Sequence, residues 1–184
     1  MKGEDFFDDL FYQNWAFFAP PPTADNKLYY RFELLSDTSI VHTFEALGPI
    51  IEMKREAAPF NANQEILEYV LSGTVHNITD GLYSVNRSID FGSQFTSDSS
   101  NSDEDLVAKK FNLGKEYVQE SNNFITLKNY ALLVANRQGL KISEYAVNIY
   151  ITEVSIPRFS NRDELDFYSS REEKIIFYSD KFTY

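Results

Sequence analysis

Residues 124–156 read FITLKNYALLVANRQGLKISEYAVNIYITEVSI. In the second half, Tyr145, Val147, Ile149 and Ile151 fall on one parity, and Glu144, Asn148 and Thr152 fall on the other. That period of two predicts a β-strand with one apolar face. The first half, up to Ala135, is a run of alternating and β-branched residues and reads as the partner strand. Asn136-Arg137-Gln138-Gly139 then supplies the reversal, because Asn and Gly tolerate the positive φ that a tight turn needs. Pro157 stops the ladder, having no backbone N–H to donate. The stretch therefore predicts a long antiparallel hairpin, with arms of roughly 30 Å at about 3.3 Å per residue. Arms that long exceed what a small core requires.

Working outward, Lys27–Leu35 (KLYYRFELL) and Ile40–Leu47 read as strands joined by a turn at Ser36-Asp37-Thr38. Gly48-Pro49 breaks the second, Ile50–Arg55 resumes it, and Arg55–Gln64 is a loop. Glu65–Ile78 is divided: EILEYVL favours helix, whereas Gly73-Thr74-Val75 favours strand. Asp80-Gly81 is a hairpin signal, and Tyr83, Val85, Arg87, Ile89 and Phe91 alternate after it. Residues 92–105 are Ser-rich and acidic, a solvated surface loop. Leu106–Ser121 is a helix interrupted by Gly114, and Lys174–Tyr178 is a final strand. The sum is one mainly-β domain over residues 1–184, a barrel or sandwich with long antiparallel hairpins and one or two short helices. Residues 1–22 form an N-terminal arm in which Phe6, Phe7, Leu10 and Phe11 share helical spacing. That arm either packs on its own domain or docks on a neighbouring subunit. Pro20-Pro21-Pro22 ends it.

Composition narrows the function classes. Seventeen basic residues face 28 acidic ones, a net charge of −11, which disfavours an electrostatic grip on nucleic acid or an anionic membrane. With no cysteine there is no disulfide framework, thiol nucleophile or Cys-based metal site. No apolar run nears the ~20 residues of a membrane span, and the acidic N-terminus lacks the order of a signal peptide. A cytosolic, soluble chain is the expectation, and the sequons at Asn77 and Asn86 are chance matches. His42 and His76 have no carboxylate at ligand spacing. Asp98, Ser100 and Ser102 have the spacing of a calcium loop, but Asp103 and Lys109 stand where Gly and Glu are required. Phosphate-binding, nucleophile-elbow and zinc-protease motifs are absent. The sequence therefore offers no catalytic residue, cofactor or metal, and the expectation is a protein that is not an enzyme.

Several blocks, in order, resemble the inner tube proteins of contractile phage tails and related injection machines. Phe18-Ala19-Pro20-Pro21 leads into the aromatic strand LYYRFEL. Ala46-Leu47-Gly48-Pro49 precedes Ile51-Glu52-Met53-Lys54-Arg55-Glu56, with Ala57 and Ala58 where the family has two glycines. The 124–156 hairpin carries Arg137 and Gly139 in its turn and a proline after it. Asp163-Glu164-Leu165 leads on to IIFYSDKF at the C-terminus. The resemblance implies a structural subunit that forms hexameric rings with itself, and rings that stack into, start or end the tube. Sheath, baseplate or terminator proteins would be its neighbours, and DNA would pass through the lumen without specific binding. The implied setting is the virion, with assembly in the host cytoplasm and no membrane anchor. Phe6, Phe7, Leu10, Phe11, Arg55, Glu56 and Phe60 would then contact adjacent subunits or rings. Glu144, Asn148 and Thr152, on the polar parity, would face the lumen. The alternatives are a β-sandwich binding module recognising glycan or peptide, and a small enzyme with converging carboxylates in a cleft.

Overall fold

The computed structural model describes residues 24–95, 103–156 and 172–184. It is a mixed α/β structure. The elements are β1 (Ala24–Leu34), β2 (Val41–Glu45), α1 (Leu47–Glu56), α2 (Ala62–Phe95), α3 (Asp103–Gln119), α4 (Asn122–Arg137), β3 (Tyr145–Ser155) and β4 (Glu173–Tyr178). The strands form one open antiparallel sheet in the order β2-β1-β3-β4. This corrects the mainly-β barrel or sandwich expected from the sequence.

The principal correction falls on the stretch that prompted the hairpin. Its first half is α4, and its buried residues are Phe124, Leu127, Tyr130, Ala131, Val134 and Ala135. Those positions recur at three and four, which is the helical stripe. Leu, Ala and Lys outnumber the β-branched residues there, so propensity agrees with the stripe. The Ser121 side chain accepts a hydrogen bond from Phe124 N–H at 3.2 Å, capping the first turn. The reversal at Gly139 is real, with φ +68°, but it ends a helix instead of joining two strands. Leu140 N–H reaches back to Ala135 C=O at 2.9 Å, the bond pattern of a glycine C-cap.

The same period decides α2. Leu71, Thr74, Val75, Ile78, Thr79 and Leu82 are buried along it, spaced three and four apart. Asp80-Gly81, expected as a hairpin turn, lies inside that helix. Gly81 is there for close approach: a Cβ would lie 2.6 Å from the Tyr117 ring of α3, and one on Gly114 would lie 2.9 Å from Leu82 Cδ2. Ile50–Arg55, expected as strand, falls within α1, and residues 82–91, also expected as strand, fall within α2. Of the expected acidic loop, 92–95 close α2 and 103–105 open α3; the rest lies outside the described residues.

The helices cover one face of the sheet. Leu28, Tyr30 and Phe32 of β1, Val147, Ile149 and Ile151 of β3, and Phe177 of β4 are buried against the apolar stripes of α2 and α4. Tyr30 donates its hydroxyl to Leu127 C=O at 2.9 Å, so even the polar tip of the core tyrosine is satisfied. The β1–β2 turn is fixed by Asp37, whose Oδ1 accepts from Ser39 N–H at 3.0 Å and Ser39 Oγ at 2.7 Å.

Candidate functional site

Among the described residues β4 is an edge strand, bonded to β3 on one side only. Ser155 N–H bonds Glu172 C=O, and Lys174 lies opposite Glu153 in the register. By the alternation of an antiparallel ladder, the N–H and C=O of Ile175 therefore point away from β3. Beside this edge runs a groove of about 340 Å³ between β4, α2 and α3. Apolar side chains are left open along it: Val107 is 65% exposed, Ile175 53%, Tyr83 47% and Phe111 47%. Among the described residues, Lys110, Lys115, Lys174 and the carboxylate of Glu153 stand in the same lining.

Two contacts fix the groove's walls. The Tyr83 hydroxyl of α2 donates to the Glu153 carboxylate of β3. That bond, reinforced by burial, pushes the phenol up to about 12. At the far end, Lys115 of α3 pairs with Asp180, and Asp180 also accepts from Gln119 Nε2 at 3.1 Å. The Lys115 ammonium holds the Asp180 carboxyl below its ordinary range, with help from Gln119. Lys174 has no carboxylate partner among the described residues.

The sheet face away from the helices is different in kind. Tyr29 and Tyr150 stack with ring centroids 4.8 Å apart and planes 10° apart, and Tyr150 and Tyr178 at 6.1 Å and 26°. Glu173 accepts from Tyr29 Oη at 2.8 Å, Thr152 Oγ1 at 2.6 Å and Lys27 Nζ at 3.4 Å. Those donors hold its carboxyl below the usual range, Thr152 first. Burial, then the bond to Glu173, raises the Tyr29 phenol. Tyr150 has both ring faces covered by its neighbours, so the middle of this strip offers no open face to a sugar ring.

A wider concavity of about 830 Å³ lies where β1 runs on past the end of β2. Asn26 Oδ1 is buried there without a partner. Most of its other polar groups are engaged. Glu45 caps α1 through Leu47 N–H at 2.8 Å and Gly48 N–H at 2.7 Å, Glu68 pairs with Lys54 at 2.6 Å, and His76 faces Asp80 at 3.2 Å.

The residues expected to form a site are scattered. Phe6, Phe7, Leu10 and Phe11 lie outside the described residues. Arg55 and Glu56 are exposed at the end of α1, and Phe60, in the turn that follows, is 91% exposed. Glu144 is exposed and pairs with Lys141 at 3.4 Å. Asn148 and Thr152, on the outer sheet face, are buried within this chain. Asn148 donates to Ser179 C=O at 3.2 Å, and Thr152 to Glu173. Tyr83, Phe111, Lys115, Glu153 and Lys174 were not singled out from the sequence. Only the strand Lys174–Tyr178 carried a signal, as a short apolar run. The chain matches no family model, no curated protein and no solved structure.

Proposed function

We propose that this protein acts without catalysis, as a binding module that takes an extended segment of a protein partner along the free edge of β4. The observation that carries this reading is the pairing of an open strand edge with an apolar groove. The edge offers main-chain hydrogen bonds, and the groove receives alternate side chains. The conduit implied by the resemblance needed long hairpin edges that close into a barrel. With that hairpin replaced by α4 and β3, the expectation of a peptide-binding module is the one the geometry supports. The titrating groups agree with it. Tyr83, Tyr29 and Tyr150 are shifted toward staying protonated, and Glu173 and Asp180 toward staying ionised, so none of these shifts brings a group toward neutral pH as an acid–base catalyst requires.

A labelled heptapeptide, Gln-Val-Gln-Phe-Gln-Val-Gln, titrated by fluorescence anisotropy, tests the proposal alongside hydrogen exchange. Binding should slow exchange of the Ile175 amide. The Ile175→Pro variant removes that outward N–H and leaves the β3 ladder intact, since an edge strand tolerates proline on its open side. It should fold, as judged by its near-ultraviolet dichroism, and lose the peptide. Equal binding by the folded proline variant, or protection elsewhere with none at β4, refutes edge docking.

A further inference from the structure

The concavity past the end of β2 gathers three features that the fold itself does not explain. The first is a length of open main chain. Every second residue of β1 turns its N–H and C=O toward β2, as the bonds from Ala46 N–H to Leu28 C=O at 2.8 Å and from Leu34 N–H to Ile40 C=O at 3.1 Å show. Asn26 is next in that series. The chain turns away into α1 at Leu47, so among the described residues no strand lies beside Asn26, and its N–H and C=O face the concavity. The second feature is the side chain of the same residue. It has the parity of Leu28 and Tyr30, which places it on the helix side, and its Oδ1 is buried without a partner among the described residues. A buried acceptor costs stability unless a donor reaches it. The third is Gly73 of α2, in the same lining. A Cβ there would meet nothing within 4 Å, whereas Gly48, Gly81 and Gly114 each face a close side chain and Gly139 has a positive φ. Glycine weakens a helix interior, so Gly73 fits a face kept low for something outside the chain. Tyr69, one turn before it, is 81% exposed.

We propose that this concavity is a small-molecule site for a ligand that carries a primary amide on a flat apolar body. The ligand C=O accepts from Asn26 N–H, and its NH2 group donates to Asn26 C=O and to Asn26 Oδ1. The apolar body lies in the space over Gly73, beside Tyr69. A strand is a poorer occupant, because Leu28 C=O is already taken and Ala24 is the first residue of β1. Asn26 alone offers a complete interior pair. The volume, about 830 Å³, falls in the range of small-molecule pockets. The site stands across the sheet from β4 and does not depend on edge docking.

Benzamide titrated into the isotope-labelled full chain tests this by NMR. The control is N,N-dimethylbenzamide, which keeps the ring and carbonyl but has no N–H. Benzamide should bind with roughly millimolar affinity and shift the Asn26 and Gly73 amide resonances, and the dimethyl compound should bind at least about ten-fold more weakly. Asn26→Leu removes the buried acceptor. The free variant should melt no lower than the parent and bind benzamide at least about ten-fold more weakly. Gly73→Ala should melt higher, by helix propensity, and also lose affinity, because its methyl group stands in the concavity. Equal binding of the two compounds, shifts that spare Asn26 and Gly73, or unchanged affinity in either folded variant overturns the site. So does an Asn26→Leu variant that melts far below the parent, since the carboxamide would then be structural.

Discussion

On the helix side of the sheet, Leu28, Tyr30, Phe32, Val147, Ile149 and Ile151 are fully buried. One residue along each strand, on the opposite side, Tyr29, Arg31 and Tyr150 remain part-exposed. The first face is held by removal of apolar surface from water, at about 25 cal/mol per Å². The second is held by stacked tyrosines and by a carboxylate that three neighbours share. Hydrophobic burial is strong and indifferent to direction. Hydrogen bonds and ring stacking are weaker, yet they specify which residue sits opposite which. The helix side therefore accounts for most of the stability, and the outer side for the register.

Ile149→Ala should show the largest effect, a loss of about 4 kcal/mol, because it leaves a cavity under α4. Equilibrium urea denaturation reads it as a lower midpoint at unchanged slope. Tyr150→Ala, its neighbour on the outer face, removes the ring between Tyr29 and Tyr178 and should cost about 1–2 kcal/mol. A loss as large as that of Ile149→Ala would break the comparison. Glu173→Gln comes next, and pH sharpens it. The folded carboxyl titrates below its ordinary 4.5, so its contribution is present above that value and is lost as pH falls through the folded value. Thermal melts of the parent and the variant should differ at neutral pH and converge in acid. A constant gap down to pH 2 would mean that the shared carboxylate is not the cause. The smallest effect belongs to Lys27→Met, whose exposed pair with Glu173 spans 3.4 Å. Its unfolding free energy should stay within about 0.5 kcal/mol of the parent.

The strands were legible from sequence where a period of two ran alone. β1, β2, β3 and β4 were each anticipated within a few residues, and so was α3. The errors share one cause. In 124–135, and again in 65–91, apolar residues are dense enough to satisfy both a two-residue and a three-to-four-residue repeat. The helical stripe Leu71, Val75, Ile78, Leu82 wins because it can lie against Leu28 and Tyr30, a fact of tertiary packing that local pattern does not contain. Asp80-Gly81 misled for a related reason. The glycine answers to Tyr117 in another helix, not to its own backbone turn. The groove was illegible because its parts come from α2, α3, β3 and β4, and only the packing of α2 on the sheet places Tyr83 within reach of Glu153 of β3.

The strand order has a consequence for the order of events in folding. Leu34 pairs with Tyr145 and Ala24 with Ser155, more than a hundred residues apart in each case, and the four described helices lie between the two strands. As the chain leaves the ribosome, β1 and its short partner β2 emerge long before the strand that completes them. Until Tyr145–Ser155 is made, β1 presents an apolar face and one whole edge without a partner. Helices form quickly from local contacts, whereas this central ladder waits on closing a very long loop. Pulse-labelled hydrogen exchange during refolding should find the amides of α2 and α4 protected before those of β1. The interval between the two is when the chain is most prone to aggregate.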